Sequence, residues 1–155
     1  MGGHILVING PNLNLLGSRE KGIYGEVSLE DINRELKTVA IEQQVEINFF
    51  QSNHEGEIVD RIQEARRETD CIIINAGALT HYSIAVHDAL RAVAIPVIEV
   101  HMSNIYAREA FRQQSLISPI AVGGVFGFGA LSYRMALLAA CNTLKDISGL
   151  EVKSE

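Results

Sequence analysis

Five short runs rich in isoleucine and valine recur along the chain, and segments with helical spacing separate them. The runs are HILVIN at 4–9, VEINFF at 45–50, CIIIN at 71–75, PVIEV at 96–100 and SPIAV at 118–122. Nearly continuous apolarity is typical of strands buried on both faces, as in parallel sheets. Strands joined by single helices require right-handed crossovers, which place helices over the sheet. The pattern predicts an α/β fold of the flavodoxin-like class, a five-stranded parallel sheet with helices on both faces.

Apolar residues spaced three and four apart predict the helices between these runs. The first helix is expected to begin after Ser28, because Asp31 three residues later completes a capping-box pattern. Further helices are predicted around 58–65, from about Ser83, in a short segment opened by Ser103, and from about Ala130. The polar tail from about residue 147 is expected to fray.

Length and composition favour one domain that spans residues 1–155, of which 47% are hydrophobic. The net charge of -6 argues against a nucleic-acid surface, since phosphate binding needs clustered positive charge. No apolar run approaches the roughly 20 residues that cross a bilayer, so we expect no membrane contact and a soluble, cytoplasmic protein. Cys71 and Cys141 lie in apolar or helical stretches, which predicts buried, reduced thiols.

Polar residues follow four of the predicted strands. These segments read NGPNLN, QSNHEGE, NAGALTH and EVHMSN. In open parallel sheets, ligands bind outside the carboxyl ends of the strands. Amide, imidazole and hydroxyl groups are therefore expected to converge at one edge of the sheet.

Glu99 and His101 are two residues apart in the fourth strand, so their side chains leave the same face. The carboxylate could orient and charge the imidazole, although a satisfied buried polar pair explains the spacing about equally well. Ser103 could cap a helix whose free N–H groups suit an anion. Arg108 and Arg112, four residues apart, would then share a helical face, where arginines are more often solvated than functional.

Motifs for phosphate, metal and imine chemistry are missing from the sequence. The first strand is followed by neither G-x-G-x-x-G nor G-x-x-x-x-G-K-[ST]. His81, His87 and His101 lack the spacing of common metal sites, so we predict no metal. The four lysines fall away from the strand ends, which disfavours a Schiff-base mechanism.

A tyrosine lies between two glycines near the start of the chain. Tyr24 follows Gly22, precedes Gly25 and comes five residues after Arg19. Taken alone, such a tyrosine is more often a packing group than a reactive one. Glycines on both sides also fit a hinged loop that delivers the phenol to a site.

Four motifs in order resemble one family. They are INGPNLNLLGSRE with the following YG, then INAGALTHYS, EVHMSNIYAREAFR and GFGALSYRMAL. Together they are similar to the type II 3-dehydroquinate dehydratases over about residues 4–144. The resemblance implies a single catalytic domain with a flavodoxin-like fold. It also implies reversible anti elimination of water from 3-dehydroquinate, giving 3-dehydroshikimate through an enolate without metal or cofactor, the third step of the shikimate pathway.

The resemblance assigns catalytic roles to matching residues. Tyr24 would be the proton acceptor, with Arg19 and Arg108 stabilising its phenolate and the transition state. An ordinary tyrosine pKa is about 10, so lowering it by two to three units requires about 3 to 4 kcal/mol of preferential stabilisation. His101 would be the proton donor, oriented by Glu99. A further residue, Asn12, would position a water against the enolate oxygen.

The resemblance also implies the residues that bind substrate and the assembly. These are Asn75, His81, Asp88, Met102, Ser103 and Arg112. Met102 and Ser103 would bind the carboxylate through backbone N–H groups, and Asp88 would come from a neighbouring subunit of a homododecamer built from trimers. Two positions depart from the usual family pattern: Lys21 and Gly22 replace a common proline-containing pair, and Met102 replaces leucine or isoleucine.

Two alternatives stay open from the sequence. One is a non-catalytic flavodoxin-like binding module, either a flavin carrier or a phospho-receiver, although Asn9 and Asn75 stand where a receiver needs acidic groups. The other is a metal-dependent hydrolase that uses the histidines. A yellow purified protein would favour the flavin carrier, and inhibition by a chelator would favour the hydrolase.

Overall fold

The computed structural model describes residues 2–18 and 26–153, with side chains described to residue 149. The strands in these ranges are β1 (His4–Asn9), β2 (Glu46–Gln51), β3 (Cys71–Asn75), β4 (Val97–His101) and β5 (Gly123–Phe126). The α-helices in the same ranges are α1 (Leu29–Gln43), α2 (Glu55–Ala65), α3 (Ile84–Val93) and α4 (Leu131–Lys153). The described part of the chain also contains five short 3₁₀ turns, at Leu13–Leu15, Gly77–His81, Ile105–Ala107, Ala110–Arg112 and Ser118–Ile120.

The five strands form one parallel sheet in the order β2-β1-β3-β4-β5. This order is that of the flavodoxin-like fold, so the predicted fold class is confirmed. The register places Asn9 of β1 beside Asn75 of β3. The carboxyl ends of the central strands therefore meet at one edge.

Two apolar layers cover the sheet. On one face Ile5 and Val7 pack with α1 and α4, and on the other Leu6 and Ile8 pack with α2 and α3. The alternation follows from the period of two along a strand, since each central strand sends successive side chains into opposite layers. Both layers hold the strand ends in fixed relative positions.

Local signals placed the helix starts correctly. Ser28 accepts the backbone N–H of Asp31, whose carboxylate accepts the N–H of Ser28, so the predicted capping box is present. Ser83 accepts the N–H of Val86 and begins α3. Such caps satisfy backbone donors that a helix leaves unpaired at its first turn.

The predicted fifth strand at 118–122 is wrong. Ser118–Ile120 forms a 3₁₀ turn, and the strand that pairs with β4 begins at Gly123. Pro119 lies in the first turn of that 3₁₀ segment, where its missing N–H is tolerated, whereas a strand ladder would lose a hydrogen bond there. Short apolar runs do not separate such a turn from a strand by composition.

One helix prediction also needs correction. Ser103 does not open an α-helix: Asn104 caps a 3₁₀ turn by accepting the N–H of Tyr106, and Arg108 is extended after it. Asparagine completes this cap because its side chain reaches the N–H two residues on. The tail from 147 belongs to α4 as far as Lys153, and the fraying expected there stays a prediction.

Both cysteines are buried free thiols, as predicted. Burial raises the pKa of the Cys71 thiol to about 12, which makes it a poor nucleophile. No helix in the described ranges is both long enough and apolar enough to cross a membrane.

Candidate active site

A cavity of about 110 Å³ opens at the carboxyl edge of the sheet. Side chains and backbone from the segments after β1, β3 and β4 line it. Eight predicted site residues are among them: Asn12, Asn75, His81, His101, Met102, Ser103, Arg108 and Arg112. The structure therefore brings together most of the described residues that the sequence selected.

The backbone segments that follow β1 and β3 approach each other closely beside the cavity. Gly10 donates its N–H to the carbonyl of Asn75, and a Cβ atom at Gly10 would lie 2.4 Å from the carbonyl oxygen of Ala76. Only glycine fits at that distance. Asn12 follows with a left-handed φ of 70°, and its N–H donates to Oδ1 of Asn53 at 2.9 Å. These contacts hold the Asn12 loop at the mouth of the cavity.

Glu99 and His101 form a buried pair. Glu99 is 3% exposed and His101 is 6% exposed, and Oε1 of Glu99 lies 2.8 Å from Nε2 of His101. The predicted shared face of β4 is therefore confirmed. Because Glu99 contacts Nε2, it leaves Nδ1 as the ring nitrogen for a ligand. The imidazole can donate a proton from Nδ1 while the carboxylate stabilises its charged form.

Two serines complete the surroundings of Glu99. The hydroxyls of Ser115 and Ser118 donate to its carboxylate. Burial tends to raise the pKa of Glu99, but hydrogen bonds from His101, Ser115 and Ser118 outweigh it and lower the pKa below its ordinary value. Glu99 is therefore a carboxylate at neutral pH.

His81 stacks beside His101 with ring centroids 6.4 Å apart. Burial lowers its pKa, and the nearby His101 and Arg112 act in the same direction against the hydrogen bond to Gln114. Nδ1 of the neutral ring donates to the carbonyl of Gln114 at 2.8 Å. Nε2 consequently carries a lone pair and can accept a hydrogen bond from a ligand hydroxyl.

A buried polar chain orients Asn75. Its Oδ1 accepts the N–H of Gly77 at 3.2 Å, and its Nδ2 donates to the hydroxyl of Tyr133 at 2.9 Å. The Tyr133 hydroxyl in turn donates to Oδ1 of Asn9 at 2.6 Å. One N–H of the Asn75 amide remains for a ligand, because an amide nitrogen has two donors.

Two arginines, Arg108 and Arg112, line part of the cavity wall. Nη1 of Arg108 donates to Oγ of Ser103 at 3.3 Å, while Arg112 pairs with Glu109 on the preceding residues. Arg108 and Arg112 do not share a helical face, because Arg108 is itself extended and Arg112 lies in the 3₁₀ turn that follows. Both side chains still line the cavity. Two guanidinium groups near Ser103 favour an anionic ligand.

One described residue that was predicted for the site stands apart from this cluster. Asp88 is an exposed residue of α3 and does not contribute to the described cavity lining. Arg19 and Tyr24 lie outside the described residues, as do Lys21, Gly22 and Gly25. Residues 2–18 and 26–153 contain no cluster of three or more His, Cys, Asp or Glu side chains arranged to hold a metal ion.

Sequence reasoning missed the residues that orient the site. Ser115, Ser118, Tyr133 and Asn53 contact predicted site residues but gave no signal of their own. Ser118 stood inside the run assigned to a strand, and Tyr133 was not singled out within the last predicted helix. Their roles depend on contacts between distant segments.

The comparisons by sequence cover nearly the whole chain. The profile of the family described as Dehydroquinase class II matches residues 3–141. The 3-dehydroquinate dehydratase of a Nitratiruptor species is 52% identical over 149 residues, which are 96% of this chain and 96% of that protein. The 3-dehydroquinate dehydratase of Caldicellulosiruptor bescii is 60% identical over 144 residues, which are 92% of this chain and 97% of that protein.

The comparison by structure agrees with the comparisons by sequence. The crystal structure of type II dehydroquinase from Butyrivibrio crossotus DSM 2876 superposes with a TM-score of 0.87 at 48% identity. The superposition covers 91% of this chain and 98% of that one. Both the order of the motifs and the packing of the chain are therefore shared with these proteins.

Proposed function

The chain belongs to the class II dehydroquinase family, and we propose that its cavity converts 3-dehydroquinate to 3-dehydroshikimate. The enzyme is a hydro-lyase that removes water reversibly by anti elimination through an enolate. This conversion is the third step of the shikimate pathway.

The buried Glu99 and His101 pair at the cavity wall is the observation that carries the proposal. Elimination of water requires a proton for the departing hydroxyl, because hydroxide is a poor leaving group. The imidazole of His101, held by the Glu99 carboxylate, can supply that proton. His101 is the proton donor through Nδ1, and Glu99 holds the ring at Nε2.

Tyr24 is the proton acceptor in this proposal. Its phenolate takes the proton beside the substrate ketone, and the electrons of the broken C–H bond form the enolate. The enolate then collapses, the ketone returns, and the C1–O bond breaks as His101 protonates the oxygen. Arg19 and Arg108 stabilise the phenolate, since a guanidinium supplies positive charge without competing for the proton. Arg108 already lies at the cavity wall.

The remaining cavity groups suit the polar substrate. Asn12 positions a water against the enolate oxygen, where an oriented donor stabilises developing charge. The substrate carboxylate binds to the backbone N–H groups of Met102 and Ser103 and to the serine hydroxyl. Nη1 of Arg108, 3.3 Å from that hydroxyl, adds a positive charge to this subsite. The ring hydroxyls bind to three further side chains, Asn75, His81 and Arg112.

The whole chain acts as one catalytic domain within an assembly. Asp88 lies on the exposed surface of α3, which fits a residue that completes the site of a neighbouring subunit. The assembly we propose is a homododecamer built from trimers.

Ultraviolet absorbance tests the function directly. Purified protein mixed with 3-dehydroquinate should give rising absorbance from the conjugated enone of the product. Tyr24→Phe should abolish turnover while substrate still binds in calorimetry, and His101→Ala should slow the elimination step. No absorbance change with folded, assembled wild-type protein would refute the function. Appreciable turnover by Tyr24→Phe would refute only the assignment of the base.

A further inference from the structure

The carboxylate of Glu99 accepts hydrogen bonds from three side chains. Oε1 accepts from Nε2 of His101 at 2.8 Å and from Oγ of Ser115 at 2.6 Å. Oε2 accepts from Oγ of Ser118 at 2.5 Å and lies 3.0 Å from Oγ of Ser115. Both oxygens of the carboxylate are therefore engaged, one by the imidazole and both by serine hydroxyls.

The direction of the Ser115 hydroxyl is fixed by its own neighbours. Its oxygen accepts two backbone N–H groups, from Ile117 at 3.1 Å and from Ser118 at 3.0 Å. A hydroxyl has two acceptor sites and one proton, so both acceptor sites are used. The single proton is left for Glu99, which must accept it.

The segment that carries the two serines is itself held in place. Ser118 begins a 3₁₀ turn that includes Pro119, and the chain then continues into β5. Glu99 stands between Ile74 of β3 and Gly124 of β5 in the sheet register. The acceptor therefore lies within the sheet, and the two donors lie on the segment that leads into β5.

The other charged or titratable groups described around His101 are basic. His81 stacks on its ring, and Arg108 and Arg112 share its cavity wall. The two guanidinium groups place positive charge near His101. The Glu99 carboxylate offsets that charge only while it is ionised and aimed at Nε2.

We propose that Ser115 and Ser118 are positioning residues for the dehydration, which keep Glu99 ionised and aimed at Nε2 so that His101 carries its proton to the leaving hydroxyl. The proposal rests on the proposed role of His101 as proton donor. Neither serine touches the reacting atoms, and both act through Glu99. They reach it from 16 and 19 residues further along the chain.

Ser118→Ala is the better test variant, because Ser115 also accepts two backbone N–H groups and its loss would disturb that segment. Ser118→Thr keeps a hydroxyl at this exposed position. Ser148→Ala removes an exposed hydroxyl whose one hydrogen bond among the described residues is to the carbonyl of Leu144 in α4, and it serves as the matched control. Circular dichroism should show the same folded state for all of them.

The readouts are the pH profile of kcat and the titration of the Glu99 carboxyl carbon by ¹³C NMR, assigned with Glu99→Gln. Ser118→Ala should lower kcat about tenfold, as expected for one hydrogen bond to a charged group, and leave KM within about twofold. The titration midpoint of Glu99 and the acid limb of kcat should both move up by about one pH unit. Ser118→Thr should restore all three quantities, and Ser148→Ala should match the wild type.

Two outcomes would overturn the proposal. One is a Ser118→Ala enzyme whose kcat stays within about twofold of the wild type. The other is a loss of kcat with no change in the Glu99 titration, which would indicate a merely structural effect. Failure of the function itself is distinguishable, since wild-type protein would then show no turnover while the NMR titration still reports on the contact of Ser118 with Glu99.

Discussion

Tyr133→Phe removes a single oxygen atom from the buried chain that orients Asn75. Tyr133 is 0% exposed, and its hydroxyl joins Nδ2 of Asn75 at 2.9 Å to Oδ1 of Asn9 at 2.6 Å. The phenyl ring stays, so apolar packing against the sheet is nearly unchanged. What is lost is the hydrogen-bond partner of two buried amide atoms.

The stability that Tyr133→Phe loses follows from the burial of the two amides. Asn9 is 1% exposed and Asn75 is 4% exposed, so water has little access to replace the hydroxyl. Each buried polar group left unpaired costs about 1 to 3 kcal/mol. Nδ2 of Asn9 already lacks a partner among the described residues, so a rotation of the amide that exchanges Oδ1 and Nδ2 would not restore a hydrogen bond. We expect a loss of about 2 to 4 kcal/mol in the free energy of unfolding.

The function should change in a specific way. Asn75 would still accept from Gly77, but its second amide N–H would no longer be fixed toward the cavity. Because Asn75 is proposed to bind substrate and takes no part in proton transfer, KM should rise by about threefold to tenfold, with a smaller change in kcat.

Urea denaturation at fixed protein concentration measures the stability, and the enone absorbance assay measures KM and kcat. Tyr82→Phe removes a hydroxyl from a ring that is 64% exposed and should change stability by less than about 0.5 kcal/mol. Equal stability of Tyr133→Phe and Tyr82→Phe would refute the argument from buried amides. A large fall in kcat at unchanged KM would refute the binding role of Asn75.

Two further predictions concern Glu99 and Asp88. The pKa of Glu99 is lowered in the folded protein, so its carboxylate stabilises the fold at pH values above the ordinary glutamate pKa. This contribution is lost as the pH falls through the folded-state pKa. Each unit by which the pKa is lowered contributes about 1.4 kcal/mol. Because glutamine does not titrate, the free energy of unfolding of Glu99→Gln, measured by urea denaturation, should fall less than that of the wild type as the pH is lowered. Parallel pH curves for the two proteins would contradict this. Asp88→Ala should raise KM by about threefold or more in the assembled enzyme, as kinetics with light scattering would show, and a fully active wild-type monomer would exclude the shared site.

Much of the fold was predictable because its signals are local. Buried parallel strands read as apolar runs, and the caps at Ser28 and Ser83 lie within three residues of the groups that they bind. The fifth strand was predicted wrongly because a strand and a 3₁₀ turn can have the same composition. The run at 118–122 is as apolar as a strand, but Pro119 and the backbone N–H groups that Ser115 accepts favour a 3₁₀ turn there.

In the candidate site, too, some features follow from the sequence and others depend on the tertiary structure. The sequence by itself determined that Glu99 and His101 share a face, because a spacing of two along a strand admits no other arrangement. Only the tertiary structure decided what fixes them, since Ser115 and Ser118 reach Glu99 from beyond the end of its strand, and Tyr133 reaches Asn75 across 58 residues. Such partners leave no periodic trace in the chain, because a hydrogen bond between distant segments depends on how the layers pack and not on spacing.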